Sequence, residues 1–376
     1  MASRVTLQCV LNTYLPDYTQ TRRMDPRRWS VCQHIQDCRT AAMGGQQLRC
    51  VDCGHETQHY YACRDRHCPQ CQQRASRDWQ EHQAAQILPV DYHHLVFTLP
   101  HELNGWMRLH PETIYSLLFR AVWQTLKTFG ADPKRLGGEL GMTAVLHTWG
   151  QSLSQHVHLH CLVPGGVLTE DGQWRSSKSD YLFPVRALSR HFRGLMVSLL
   201  RTRHAEGELP RISDAAEPAR TLGQLMEREW VVYSKPCLRD GEQVVKYLSR
   251  YTHRIAISND RLLSQEDGEV AFSYKDYRAG AKHKVMILQA AEFIRRFLQH
   301  VLARGFMRIR HYGYLANCCR VKKLSQIQAA IKAQASEASH EVVVSAPASQ
   351  VYPCPVCQQG WLQVTAVFAP QRLDGG

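Results

Sequence analysis

Apolar and polar positions change period several times along the chain. From Asp91, the run D-Y-H-H-L-V-F-T-L-P predicts a strand stopped by Pro100. Next, P-E-T-I-Y-S-L-L-F-R-A-V-W-Q-T-L-K-T-F has helical spacing, with Ile114, Leu117, Leu118, Val122 and Leu126 on one stripe. M-T-A-V-L-H-T-W-G and H-V-H-L-H-C-L-V predict two strands, and the short link between them favours an antiparallel pair. Residues 188 to 204 are expected to be helical, and E-Q-V-V-K-Y-L-S-R-Y forms a short helix. R-I-A-I-S and V-A-F-S-Y-K-D read as a hairpin through S-Q-E-D-G-E. K-V-M-I-L-Q adds a strand, A-A-E-F-I-R-R-F-L-Q-H-V-L-A-R-G a helix ended by Gly305, and F-M-R-I-R-H-Y-G-Y one more strand. Strands and helices segregated in this way predict an α+β layer around an antiparallel sheet.

The first 85 or so residues break that rhythm into short pieces dense in Cys and His. A polar helix over residues 72 to 86 leads away from them, and the Ala-, Ser- and Gln-rich residues 326 to 350 run from a helix into a linker before a short tail with C-P-V-C. The expected organisation is a zinc-binding, DNA-binding domain over 1–85, a catalytic domain over 86–325, and a linker and CxxC tail over 326–376. A chain of 376 residues has room for two or three domains. Its net charge of +13 suits a phosphate-rich partner, although charge alone does not exclude an acidic membrane surface. No apolar run is long enough to span a bilayer and the start lacks the apolar core of a signal peptide, so a cytoplasmic, nucleoid-associated protein is expected.

Eight of the 14 cysteines fall before residue 72, a distribution that suits metal binding rather than disulfides in a reducing compartment. Cys50 with Cys53 and Cys68 with Cys71 form two C-x-x-C pairs with 14 residues between them, so each turn can aim two thiolates at one Zn²⁺. His34 with Cys38, and Cys63 with His67, are each four apart and share a helical face; they are candidates for a second, interleaved zinc site, with His55 and His59 competing. Surface or core polar residues are the bland reading of that set. Cys354 and Cys357 form a third C-x-x-C, whose partners could be the adjacent Cys318 and Cys319. A four-ligand site leaves no open position, so zinc here builds a fold rather than catalyses. Protein contacts are one use for such a scaffold; nucleic-acid binding is favoured by nearby Arg64, Arg66 and Arg74.

In S-Q-H-V-H-L-H-C-L-V-P-G-G, three imidazoles alternate with apolar groups. On a strand, Val157, Leu159, Cys161 and Val163 face a core while His156, His158 and His160 face the other way. His158 and His160 are one strand period apart and can share a divalent ion; His156 and His160 are about 13 Å apart at roughly 3.3 Å per residue. A third ligand comes from elsewhere, with His156, His147 and His253 as candidates. Tyr247 and Tyr251 stack at i, i+4 in E-Q-V-V-K-Y-L-S-R-Y-T-H-R, with Lys246, Arg250 and Arg254 on an adjoining face. Two phenols beside cations could approach a phosphodiester, the cations lowering the phenol pKa and neutralising developing charge. Taken alone, tyrosines at this spacing are more often packing residues.

Together, C-V-D-C-G-H, C-R-D-R-H-C-P-Q-C-Q, V-F-T-L-P, H-L-H-C-L-V-P-G-G, Y-L-S-R-Y-T-H-R and R-H-Y-G-Y-L-A-N resemble the two-tyrosine, His-hydrophobic-His rolling-circle transposases of the insertion sequence 91 family. The resemblance implies an N-terminal zinc module that binds DNA, followed by an antiparallel-sheet nuclease domain with helices on its faces. It also implies cleavage and rejoining of single-stranded DNA, with His158 and His160 holding Mg²⁺ or Mn²⁺ and Tyr247 or Tyr251 forming a 5′-phosphotyrosine bond; a homo-oligomer on the DNA is one candidate assembly, and the sequence leaves the oligomeric state open. A replication initiator or relaxase would share this chemistry. A non-catalytic zinc-finger regulator would leave the His strand and tyrosine pair unexplained, and a zinc hydrolase would lack an acidic partner beside His156, His158 and His160.

Overall fold

Thr6 starts the first helix: its hydroxyl accepts the Cys9 backbone N–H at 3.1 Å and caps α1 (Leu7–Thr21). Asp25 caps α2 (Pro26–Asp37) in the same way, accepting from the Arg28 N–H at 2.9 Å, with Pro26 in the first turn, where an N–H has no helical partner. The fold is that of a computed structural model, which describes residues 5–72, 86–177, 181–210, 212, 217–237, 254–277, 279–334 and 352–371. Beyond α2, β1 (Gly45–Cys50) and β2 (Glu56–Tyr60) pair as an antiparallel hairpin. β3 (Tyr92–Thr98) precedes α3 (Asn104–Leu109) and the long α4 (Pro111–Ala131). Then come β4 (Gly141–Trp149), β5 (Gln155–Pro164), β6 (Gly166–Leu168), β7 (Trp174–Ser176), α5 (Val185–Ala205), α6 (Glu217–Glu227) and β8 (Val232–Cys237). β9 (Leu262–Glu266), β10 (Glu269–Asp276), β11 (Lys282–Gln289) and α7 (Ala290–Leu298) follow. β12 (Ile309–Gly313), α8 (Arg320–Gln334), β13 (Tyr352–Pro353) and β14 (Trp361–Phe368) complete the order.

These elements gather into two compact units, and neither is continuous in sequence. One holds residues 1–74, 257–301 and 337–376; the other holds 75–256 and 302–336. This division departs from three consecutive segments with breaks at 85 and 325. In the first unit, β14 pairs antiparallel with β1, so the tail is part of the N-terminal sheet, whose order is β13-β14-β1-β2. Residues 257–301 supply a second sheet, β11-β10-β9, and α7, which packs on α1.

Two local expectations change here. The hairpin turns at Asp267 and Gly268, both at positive φ (51° and 78°), the signature of a tight Asp-Gly turn. Its first strand is nevertheless Leu262–Glu266 rather than R-I-A-I-S; Ile257 is buried without strand pairing. The helix expected to reach Gly305 stops at Leu298, where its last turn tightens into three-residue bonds from His300 N–H to Phe297 O (3.1 Å) and Val301 N–H to Leu298 O (3.2 Å).

The second unit is built on a five-stranded antiparallel sheet, β12-β4-β5-β3-β8. Alternation along its strands sends Leu95 and Phe97, Ala144 and Leu146, and Val157, Leu159, Cys161 and Val163 to one face. α4 covers that face with the stripe Ile114, Leu117, Leu118, Val122 and Leu126, and α5 covers it with Leu188, Phe192, Met196 and Leu200. Each Leu, Val, Ile, Phe or Met of this set, fully buried, contributes about 1.5–3 kcal/mol, so the register of β3, β4 and β5 is strongly determined. Residues of the intervening positions are thereby fixed on the opposite face.

Candidate active site and metal centres

That opposite face carries the histidines. β4 and β5 pair with His147 directly across from His158 and Val145 across from His160. Cross-strand neighbours on one face stand close enough for their side chains to meet. His147, His158 and His160 each place a ring nitrogen within 4.8 Å of the others. The imidazole of the buried His147 is 4.5 Å, centre to centre, from that of His160 and stacks on Trp149 at 4.7 Å. His156 stays outside the cluster. It lies two residues further along the same strand, whereas β4 delivers His147 from alongside.

Hydrogen bonds orient two of these rings. His158 Nδ1 donates to the backbone carbonyl of His156 at 2.9 Å, which puts its basic lone pair on Nε2. His160 Nδ1 lies 2.9 Å from Nε2 of His94, and the two rings stack at 12°. With the shared proton on His160 Nδ1, that ring also presents Nε2. Burial pushes the His158 pKa down to about 4, with the positive charges of His156 and Arg254 assisting. Burial also drives His160 well below its ordinary value, helped by His147, His158, His94 and Arg254. Neutral imidazoles are the form in which histidine binds metal.

Of the residues singled out around the tyrosine pair, Arg254 is described and acts electrostatically on His158 and His160. Tyr247, Tyr251, Lys246, Arg250 and His253 lie outside the described residues.

The cysteines group differently from the expected pairing. Cys38, Cys63, Cys68 and Cys71 form one cluster, and Cys50, Cys53, Cys354 and Cys357 form another, so the two N-terminal C-x-x-C pairs do not share a centre. In the first cluster, Cys71 Sγ is 3.6 Å from both Cys38 Sγ and Cys63 Sγ. Four sulfurs at about 2.3 Å from a tetrahedral zinc stand roughly 3.8 Å apart, so the spacing fits the ion and far exceeds a disulfide bond.

His34 and His67 are not in that cluster, because both turn to Asp65. His67 Nδ1 lies 2.8 Å from Asp65 Oδ1, and His34 Nδ1 lies 3.2 Å from Oδ2. Asp65 is buried, which by itself would raise its pKa. The bonds from His67 and His34 hold it below the ordinary carboxylate range instead. The signal in the sequence was the Asp in C-R-D-R-H-C, two residues before His67. His55 and His59 join no cluster among the described residues. Cys318 and Cys319 belong to the other unit from Cys354 and Cys357.

No described helix is long and apolar enough to cross a membrane. Comparison with known proteins matches residues 10–99 to the "Transposase zinc-binding domain" family and residues 141–322 to the "Putative transposase" family. "Putative transposase y4qJ" of Sinorhizobium fredii is 44% identical over 353 residues, covering 90% of this chain and 89% of its own. The "Transposase for insertion sequence element IS801" of Pseudomonas savastanoi pv. phaseolicola is 28% identical over 310 residues, covering 78% of this chain and 72% of its own. The zinc-binding match agrees with the Cys38, Cys63, Cys68 and Cys71 cluster as a structural zinc centre, and the similarity covers 90% of this chain and 89% of the relative in the first case. The chain belongs to the insertion sequence 91 family of transposases.

Proposed function

We propose that this transposase cleaves and rejoins single-stranded DNA through a 5′-phosphotyrosine bond during rolling-circle transposition. The observation that carries this reading is the three-imidazole cluster on the polar face of the antiparallel sheet, with the charge of Arg254 beside it. His147, His158 and His160 would hold a divalent cation, and this ligand set suits Mn²⁺ better than the oxygen-seeking Mg²⁺. The ion, when bound, supplies Lewis-acid polarisation of the scissile phosphate.

The chain's own residues would do the rest. In sequence, Tyr251 precedes by three positions Arg254, a residue whose charge acts on the cluster. The phenol of Tyr247 or Tyr251 gives up its proton and its oxygen bonds to phosphorus as the bond to the 3′ oxygen breaks, and that departing oxygen takes up a proton to leave a 3′-hydroxyl. Attack by a 3′-hydroxyl on the phosphotyrosine reverses these steps and rejoins DNA without ATP. A second tyrosine lets one site treat donor and target strands in turn. Lys246, Arg250 and Arg254 would neutralise the phosphate backbone. Zinc held by Cys38, Cys63, Cys68 and Cys71 would shape the N-terminal DNA-binding unit.

The test is a covalent trap. Full-length protein is mixed with single-stranded oligonucleotides from the DNA flanking its gene and Mn²⁺ or Mg²⁺, then denatured and mapped by mass spectrometry. A DNA-linked peptide carrying Tyr247 or Tyr251 is expected, and each single Tyr→Phe change should impair strand transfer. Unaltered cleavage by the Tyr247→Phe, Tyr251→Phe double variant would sink the mechanism.

A further inference from the structure

We propose that Cys354 and Cys357, in the C-terminal tail, complete a second zinc site with Cys50 and Cys53, so that the end of the chain closes a metal ribbon opened near its start. The matched zinc-binding region, residues 10–99, contains half of these ligands. This inference stands apart from the DNA chemistry proposed above.

Cys50 Sγ lies 3.7 Å from Cys357 Sγ, and Cys53 Sγ lies 3.7 Å from Cys354 Sγ. A tetrahedral zinc with sulfur bonds of about 2.3 Å requires roughly 3.8 Å. Both C-x-x-C segments are folded for the task. After Cys50 the chain turns back at Gly54 (φ 72°), whose N–H donates to Cys50 O at 3.2 Å. After Cys354 it turns at Gln358 (φ 57°), whose N–H donates to Cys354 O at 3.0 Å. The Gly360 N–H then points at Cys357 Sγ at 3.4 Å, a bond that strengthens when sulfur is a thiolate.

The two turns are also fitted to each other. Any side chain at Gly360 would place its Cβ 2.6 Å from Cys50 Sγ and 2.6 Å from Asp52 Oδ2. Val51 N–H donates to Trp361 O at 3.1 Å, and β14 continues along β1 from Cys50 opposite Leu362 to Gly45 opposite Phe368. The strand pairing thus delivers the tail's thiols to those of the hairpin.

The experiment counts sulfur-bound metal in the full chain by titrating Co²⁺ and reading the thiolate-to-cobalt charge-transfer band, which ignores metal on histidine. Wild type should bind two equivalents. The Cys354→Ser, Cys357→Ser variant should bind one, as should Cys50→Ser, Cys53→Ser, and the fourfold variant should also bind one because all four thiols serve the same ion. Two equivalents in the tail variant, or none in the fourfold variant, would overturn the proposal. A wild-type measurement covers variants that do not fold: thiol alkylation of the zinc-loaded chain as a chelator is added. Cys50, Cys53, Cys354 and Cys357 should become reactive at one common chelator concentration. Free reaction of Cys354 and Cys357 while Cys50 and Cys53 stay protected would refute the shared site.

Discussion

Replacing His94 by Ala should weaken the histidine cluster's hold on a divalent ion without touching a ligand. His94 sits on β3, diagonal to His160 on β5, because Val96 is the residue paired with His160. Its ring is buried, and desolvation together with the nearby Lys235 charge lowers its pKa to about 4, so at neutral pH it is an uncharged acceptor. The 2.9 Å bond to His160 Nδ1 fixes both the tautomer and the plane of that ring. Loss of an outer partner of this kind typically costs 10–100-fold in metal affinity, or about 1.4–2.7 kcal/mol.

The assay is calorimetric titration of Mn²⁺ into full-length protein whose thiol sites already hold zinc, with a thermal melt of each variant to establish folding. His94→Gln retains an acceptor near the Nε2 position and should recover most of the loss. If folded His94→Ala bound Mn²⁺ within about twofold of wild type, against the expected 10–100-fold loss, the assigned role of the His94–His160 bond would be wrong. A Gln variant as weak as Ala would point to packing rather than to the hydrogen bond.

Three other changes separate the units. Gly360→Ala puts a methyl 2.6 Å from Cys50 Sγ, so one of two zinc equivalents should leave faster under chelator while Mn²⁺ affinity is unchanged. Asp65→Asn turns an amide donor toward one of the donors on His67 or His34 and should destabilise the zinc-bearing unit by about 1–3 kcal/mol, read by denaturant unfolding at fixed zinc. Phe97→Ala removes a fully buried ring packed edge-on against Phe192 at 5.2 Å and should cost about 3–5 kcal/mol in the sheet unit, with zinc content unaltered. A loss below 1 kcal/mol, far short of that range, would contradict the packing described for that core.

Where the placement of side chains rested on local period, the sequence was readable. Alternation alone assigns Val157, Leu159, Cys161 and Val163 to the core and the histidines to the other face, and 3.6-residue spacing identifies the α4 stripe that covers that core. The third imidazole was one of three candidates because it depends on register between strands. Register here follows from the 150–154 turn, with Leu153 at φ 58°, and from a bulge between His147 and Trp149. None of these is a periodic feature. His34 and His67 misled for a related reason: four-residue spacing reports that two groups share a face, and says nothing of the carboxylate that takes their nitrogens.

The cysteine pairing failed on a matter of magnitude. Joining Cys50–Cys53 to Cys68–Cys71 looks natural because only 14 residues intervene, against 300 between Cys53 and Cys354. Loop-closure cost grows as the logarithm of length, however, so the longer loop is disfavoured by only about 2.7 kcal/mol. A structural zinc contributes on the order of 10–16 kcal/mol. Proximity in sequence is therefore a weak guide to which thiols share an ion. The decision passes to strand pairing: β14 on β1 brings Cys354 and Cys357 to the hairpin, while Cys38, beyond the end of α2, meets the C-R-D-R-H-C-P-Q-C turn. A family in which the tail's C-x-x-C is present should keep a glycine three residues beyond it, where only the absence of a side chain leaves room for the opposing thiolate.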